Sequence, residues 1–593
     1  MVYRNLAELM EGIVVQAPNA IAYKQKVSGR WQAISWTDHY SAVQRVARAY
    51  HAAGVRYGDT VCIVASTRWE WVVAEMAAYL AGARAVGIYP TLLASDMAYI
   101  INHCEAKILI VENEVQLRKI VSVREKLLNL KRLIVIDPIS PELDSQATDW
   151  PSFLKEGDAV PEMAVAAEKA RIKPGDVATI VYTSGTTGEP KGAMITHDNL
   201  IFTMRSAERS LDLKAQYETI FFLPLAHIFG RIVVWMCAYR QVPGWFAESF
   251  DKLGENLREV RPHFFGAVPR VFEKVYAKIN AGVAQAGGIK QRLFDWALSL
   301  GRKVSGYQQR KLPVPLLLNA QYAIAKALVF KKIHQAVGGR LLFAISGSAP
   351  LAKELSEFFH AAGILILEGY GMTENTGFSH VNRFENYQFG TVGQLGAGIS
   401  AHIADDGEIL IKGHNVMKGY LKAPEKTSEM IDREGWLHTG DIGQMDNDGF
   451  LQITDRKKDL IITSGGKNIA PARIENLLKQ SPLISQAVVI GDKRHFVSAL
   501  LTLDEEHVKK WAEQQGILNG SYQHLVQNDT LKQTLQAHVD GVNRELAPYE
   551  TVKKFSVLDH DFSIEAGELT PTLKVRRNVV NQRYRDIVDQ MYQ

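Results

Sequence analysis

The stretch from 340 to 374 limits the fold more than any other part of the chain. "RLLFAI" (340–345) reads as a buried strand. Leu351, Leu355, Phe358, Phe359 and Ala362 then recur at helical spacing and form one apolar face. Gly363 closes that helix, and "ILIL" (364–367) is the next strand. A strand, a helix and a strand with short connections make the repeating unit of a parallel sheet. The loops "SGSAP" (346–350) and "EGYGMTE" (368–374) then both leave strand C-termini on one sheet edge. Open α/β sheets bind their ligands there.

The same rhythm runs through the first part of the chain. Residues 41–54 read as a helix closed by glycine, 59–66 as a buried strand and 70–81 as a helix. "KILIV" (107–111) and "RLIVI" (132–136) are short apolar runs with polar borders. From about Gly435 the texture turns glycine-rich and charged, with short strands. A helix over 471–480, strands over 487–490 and 498–503 and further helices follow. One of these carries Leu531, Leu535, Val539, Val542 and Leu546 at helical spacing, with Asp529 as its expected N-cap and Pro548 as its stop. A boundary near 455–459 divides a domain of 1–455 from one of 456–593. The expected class is α/β with α+β elements. A length of 593 residues already demands more than one core.

Charge and cysteine content exclude several functions. The chain carries 68 basic and 64 acidic residues, too even a balance to indicate nucleic acid. Cys62, Cys104 and Cys237 are widely spaced and form no Cys-x-x-Cys pair. That argues against a disulfide framework or a structural zinc, and for a reducing, cytoplasmic setting. The first residues, "MVYRNLAELMEG", include acids and no long apolar run, so they do not read as a signal peptide. No apolar stretch is long enough to span a membrane. One segment stands apart: 302–340 holds eight Lys or Arg and no Asp or Glu, interleaved with "VPLLL" and "AIAKALVF". It reads either as a solvated helix face over core or as a contact for a membrane surface or an acidic ligand.

"YTSGTTGEPKG" (182–192) combines hydroxyls, glycines and one lysine, the materials of a phosphate-holding loop. It is not a Walker A loop, because Pro190 precedes Lys191 and Gly192 follows it. Its companions are "YGMTE" (370–374), "WLHTGD" (436–441), "DRKKD" (455–459) and "PTLK" (571–574). In this order the motifs resemble the adenylate-forming superfamily of acyl-CoA synthetases, luciferases and peptide-synthetase adenylation domains. "LPLAHIFGR", "VPRVFEKVY" and the run from "GWLHTGD" to "GGKNIAP" are similar to the long-chain fatty acyl-CoA synthetases.

The resemblance implies a large N-terminal domain of packed sheets and helices, with a small mobile C-terminal domain. It implies a two-step reaction using ATP, Mg²⁺ and coenzyme A. A fatty-acid carboxylate attacks the α-phosphorus of ATP, and the coenzyme A thiol then takes the acyl group from AMP. Carried onto this chain, Thr183, Ser184, Gly185, Thr186, Thr187, Gly188 and Lys191 hold the outer phosphates. Glu374, with Thr183, holds the metal, and Thr373 reaches the α-phosphate. Gly347, Ser348, Ala349, Pro350, Glu368, Gly369 and Tyr370 form the adenine pocket, Tyr370 by stacking. Asp441 takes the ribose hydroxyls beside Arg456, and Lys574 bridges carboxylate and α-phosphate. His227 faces the acyl-phosphate site. Lys458 is the hinge, and the loop with Gly465, Gly466 and Lys467 serves coenzyme A after a domain rotation. Acyl-tunnel candidates lie between Phe229 and Phe272, Trp235 and Val268 among them. Some members place an aromatic gate four residues after the histidine, where this chain has Arg231. Two other readings stay open: a fatty acyl-AMP ligase serving a carrier protein, and a non-catalytic nucleotide-binding protein on the same fold.

Overall fold

A computed structural model describes residues 3–183, 189–464, 467–517, 521–570 and 573–593, without the side chains of Asp144 and Asn468. Strand Phe343–Ser346 pairs in parallel with strand Leu365–Tyr370, from Phe343↔Leu365 to Ser346↔Glu368. The helix between them runs Lys353–Ala361, and Gly363 leaves it at φ +86°. The strand starts at Phe343 and not at Arg340. Arg340 is drawn aside by Glu218 and the Arg261 carbonyl, and Leu342 turns outward.

Two large sheets share a core. One has nine strands among the described residues, with Phe343–Ser346 and Leu365–Tyr370 near one end. The other has eight, and its middle strands Arg84–Ile88, Thr60–Val64, Ala106–Val111 and Arg132–Val135 run parallel. The helices Trp36–Ala52, Trp69–Leu80, His197–Ser210 and Ile228–Tyr239 bury their apolar faces in the core that joins the two sheets. The first of these starts five residues before the expected 41, because Ser35 and Asp38 form a capping box. The fold also brings Cys62 Sγ to 3.5 Å from Cys104 Sγ, buried, hydrogen-bonded and not in a disulfide, despite their separation in sequence.

A four-stranded antiparallel sheet, ending in Leu437–Met445 and Leu451–Arg456, follows the large sheets. The last part of the chain has its own apolar core around strands Ile484–Ile490, Val497–Leu503 and Val552–Val557. Its helix Asp529–Asn543 is capped by Asn528, whose side chain accepts from the Thr530 and Leu531 N–H groups. Asp529 therefore sits inside the helix, where its charge still suits the N-terminal end of the dipole.

Candidate active site

Several loops converge at one end of the sheets. Thr183 and Lys191 are cross-strand partners in the antiparallel pair Val177–Thr183 and Lys191–Thr196. The strands on either side of the glycine-rich loop therefore pair with each other, whereas a P-loop leads from a strand into a helix. Ser184, Gly185, Thr186, Thr187 and Gly188 lie outside the described residues. Lys191 Nζ stands 5.3 Å from the centre of the Tyr420 ring. The Tyr420 hydroxyl donates to Glu374 Oε1 at 2.7 Å. Glu374 and Thr373 are buried in the single turn Thr373–Asn375, and the Met417 N–H binds the Glu374 carbonyl at 2.8 Å. Lys191, Tyr420 and Glu374 thus form one cluster. Tyr420 went unrecognised in the sequence: its strand, Gly419–Tyr420, has two residues and meets Lys191–Thr196 only through tertiary pairing.

Asp441 and Arg456 are also cross-strand partners, and Arg456 Nε donates to Asp441 Oδ1 at 2.9 Å. The Tyr370 hydroxyl donates to the other oxygen at 2.5 Å. A carboxylate offers about four lone-pair sites, so both oxygens keep room for further donors. Tyr370 therefore arrives with its ring fixed through its hydroxyl.

Gly347, Ser348, Gly369 and Tyr370 line a mostly apolar cavity that opens to solvent. Ser348 holds φ +72°, a left-handed geometry that a non-glycine residue adopts at a cost. Ala349 and Pro350 carry the loop out to the surface. Glu368 does not turn to this cavity. Its carboxyl group points toward the 353–361 helix, 3.4 Å from Ser356 Oγ, and burial pushes its pKa up to about 8.

His227 lines the same cavity and is the N-cap of Ile228–Tyr239, its Nδ1 accepting from the Phe229 N–H at 3.1 Å. Burial, reinforced by Lys574 and Arg231, pulls its pKa down to about 3. The ring is neutral, so its proton sits on Nε2 and that nitrogen is a donor. Below it, Phe229, Ile232, Val233, Met236 and Cys237 line the cavity, with Phe264 and Phe378 opposite. Trp235 and Arg231 lie on the back of the helix. The Trp235 indole donates to Glu75 at 3.3 Å, and Arg231 is buried in the core. Val268 and Phe272 belong to the second core and not to this cavity. Helical phase, which a residue interval cannot show, separates these groups.

Lys574 enters the site from the carboxyl-terminal part of the chain. Its loop is closed by the Thr570 N–H on the Lys574 carbonyl at 2.8 Å. Lys574 is exposed, with its ammonium close enough to Arg456, Asp441 and Glu374 to feel their charges. Desolvation and the nearby Arg456 lower its pKa to about 8, against the pull of Asp441 and Glu374. Lys467 is elsewhere, 5.7 Å from the centre of the Tyr549 ring, and Lys458 is exposed. Gly465 and Gly466 lie outside the described residues. Among the described residues no cluster of three or more His, Cys, Asp or Glu could hold a metal ion by itself.

The chain matches the AMP-binding enzyme family over residues 11–421 and the AMP-binding enzyme C-terminal domain over 458–593. It belongs to the AMP-binding enzyme family. A long-chain-fatty-acid–CoA ligase of Mycobacterium bovis, FadD15, is 34% identical over 97% of this chain and 95% of its own length. The Xenopus laevis long-chain-fatty-acid–CoA ligase ACSBG2 is 35% identical over 99% of this chain and 83% of its own. Among solved AMP-binding folds, the adenylation domain of a Mycobacterium chelonae carboxylate reductase superposes with a TM-score of 0.81. It is 22% identical, covering 99% of this chain and 91% of that one. The anthranilate CoA ligase AuaEII gives 0.74 at 21% identity, with 98% of each chain covered. These likenesses establish the adenylate-forming fold, a large N-terminal domain followed by a smaller C-terminal one.

Proposed function

We propose that this enzyme activates a long-chain fatty acid with ATP and transfers it to coenzyme A. The observation that carries the reading is the gathering of Lys574, Glu374 and the Asp441–Arg456 pair beside Tyr370 and His227, two residues that line an apolar cavity. A carboxylate there would attack the α-phosphorus of ATP, forming acyl-AMP and expelling pyrophosphate. The thiol of coenzyme A would then attack the acyl carbon and expel AMP. An apolar cavity suits a long chain, since each buried methylene contributes about 0.8 kcal/mol. The curated relatives that bear the name long-chain-fatty-acid–CoA ligase agree with this.

The residue roles belong to the same proposal. Lys191 would hold the outer phosphates, Thr373 the α-phosphate, Asp441 the ribose and Tyr370 the adenine. Lys574 would neutralise the charge gathering between carboxylate and phosphate. Glu374 suits Mg²⁺ in one respect: Tyr420 binds one of its oxygens and so holds the carboxylate in the cluster that contains Lys191. A single carboxylate holds Mg²⁺ only together with phosphate oxygens and water. Metal would therefore arrive with the nucleotide and help neutralise its charge. The hinge would lie at 455–459 around Lys458, and the coenzyme A loop at 464–468 would replace Lys574 in the second step. No helix among the described residues is long and apolar enough to cross a membrane, and we place the protein in the cytoplasm with a peripheral membrane contact through 302–340.

The test follows AMP and acyl-CoA together, with Mg²⁺-ATP, coenzyme A and single acids from acetate to oleate. Acyl-CoA peaking at long chains is expected, with collapse in Lys574→Ala. Acyl-AMP without acyl-CoA would point to a carrier-linked ligase. No product with any acid would overturn the reading.

A further inference from the structure

We propose that the outer face of the helix over 316–336 is a docking surface for an anionic lipid membrane. The proposal rests on residues outside the reaction site and gives the peripheral contact a definite surface. The helix starts as Leu316–Ala325, passes through a π-turn at Lys326–Phe330 and ends as Lys331–Ala336. Its inner face is ordinary: Tyr322, Ala325, Val329, Phe330 and Ile333 pack into the second core. Its outer face should then be polar. Instead Leu316, Leu317, Ile324 and Leu328 are 89%, 74%, 53% and 56% exposed. The exposed Ala320, Ala323 and Ala327 fill the intervals between them. The helix therefore carries two apolar stripes, and no described residue covers the second.

Cations frame this stripe. Arg310, Lys311, Lys326, Lys331 and Lys332 are all exposed around it. The whole stretch 302–340 contains eight Lys or Arg and no acid. An apolar helical face with a cationic border is the arrangement that lies in a lipid interface, its side chains among acyl chains and its charges at anionic headgroups. The same charges disfavour a second copy of this chain as the occupant. A twofold contact would set this patch against itself, cations facing cations. The exposed stripe also exceeds the scattered single apolar residues normal on a soluble surface.

Flotation of the whole chain with phosphatidylcholine vesicles, with and without phosphatidylglycerol, tests the proposal. Binding is expected only with phosphatidylglycerol and should be released by salt. The combined variant Leu316→Ser, Leu317→Ser, Ile324→Ser should partition at least about tenfold less, and Lys326→Glu with Lys331→Glu about tenfold or more less. Both variants should keep the wild-type far-UV circular dichroism and urea midpoint, since the altered side chains are exposed. Both should turn over octanoate presented in solution as wild type does. Absence of flotation would overturn the proposal, as would flotation that neither variant weakens. Sedimentation showing a dimer that the serine variant dissociates would assign the stripe to self-association instead. Octanoate turnover without flotation would overturn the membrane surface alone, whereas flotation without turnover of any acid would count only against the proposed reaction.

Discussion

Arg231 Nε lies 3.4 Å from the Glu75 carboxylate, and both side chains are fully buried. Arg231 also donates to the Leu225 carbonyl at 2.7 Å and to Thr179, and stacks over Trp71 with 5.0 Å to the ring centre. Tyr79 and Trp235 donate to Glu75. The residue in the gate position is therefore a structural anchor beneath the loop that presents His227. Breaking a buried pair strands the remaining charge and costs about 3–5 kcal/mol. Arg231→Met and Glu75→Leu should each lose about that much in urea unfolding. The double variant should lose less than the sum of the two, because no charge is left unpaired. Strict additivity would show that the pair is not coupled.

Lys574→Ala should slow pyrophosphate release by about 10²–10³, the usual effect of losing one preorganised electrostatic group. The lysine is needed as its cation, and its pKa in the free enzyme is lowered to about 8. The kcat/KM of adenylation should therefore hold below about pH 8 and fall as pH rises through it. Lys574→Arg, which stays charged, should remove that fall even if its plateau is lower. A fall that persists in the arginine variant would move the titration to another group.

Tyr420→Phe removes the hydrogen bond to Glu374 Oε1 and leaves the carboxylate free to turn. The Mg²⁺ concentration for half-maximal rate should rise by about tenfold, as expected for one hydrogen bond to a charged group. Titration of the initial rate with Mg²⁺ at fixed ATP measures it. An unchanged requirement would separate Tyr420 from metal binding.

Gly371 has no room for a side chain. A Cβ there would meet the Gly377 carbonyl carbon at 2.2 Å and the Phe378 nitrogen at 2.4 Å, both backbone atoms. Gly371→Ala should therefore displace the Thr373–Asn375 turn and abolish adenylation, with a lowered thermal midpoint. Near-wild-type activity would mean that this turn can shift without harm.

Met236 lines the cavity on the helix below His227. Met236→Trp should shorten the preferred acid by shrinking that space, each excluded methylene costing about 0.8 kcal/mol. Rates across a chain-length series read this out directly. An unchanged optimum would place the acyl chain outside this cavity.

Local signals in the sequence were enough for the repeating units. The strand–helix–strand run of 343–370 is legible because periodicity and glycine stops are local. The motifs also marked Lys191, Glu374, Asp441, Arg456 and Lys574, residues that the fold gathers at one place. Glu368 differs from its neighbours: its side chain turns to Ser356 on the helix over 353–361, while Gly369 and Tyr370 line the cavity, a division the motif alone does not show. Trp235 is set apart from the cavity by helical phase.

The sequence by itself determined the repeating strand–helix–strand units, and which loops carry charge and hydroxyls, because those depend on neighbours a few residues away. Only the tertiary structure decided that Tyr420 holds Glu374, that Tyr370 is tied to Asp441 and that Arg231 belongs to the core. Those contacts join residues far apart in the chain. They are set by how the sheets pack and by the need of each buried polar group for a partner.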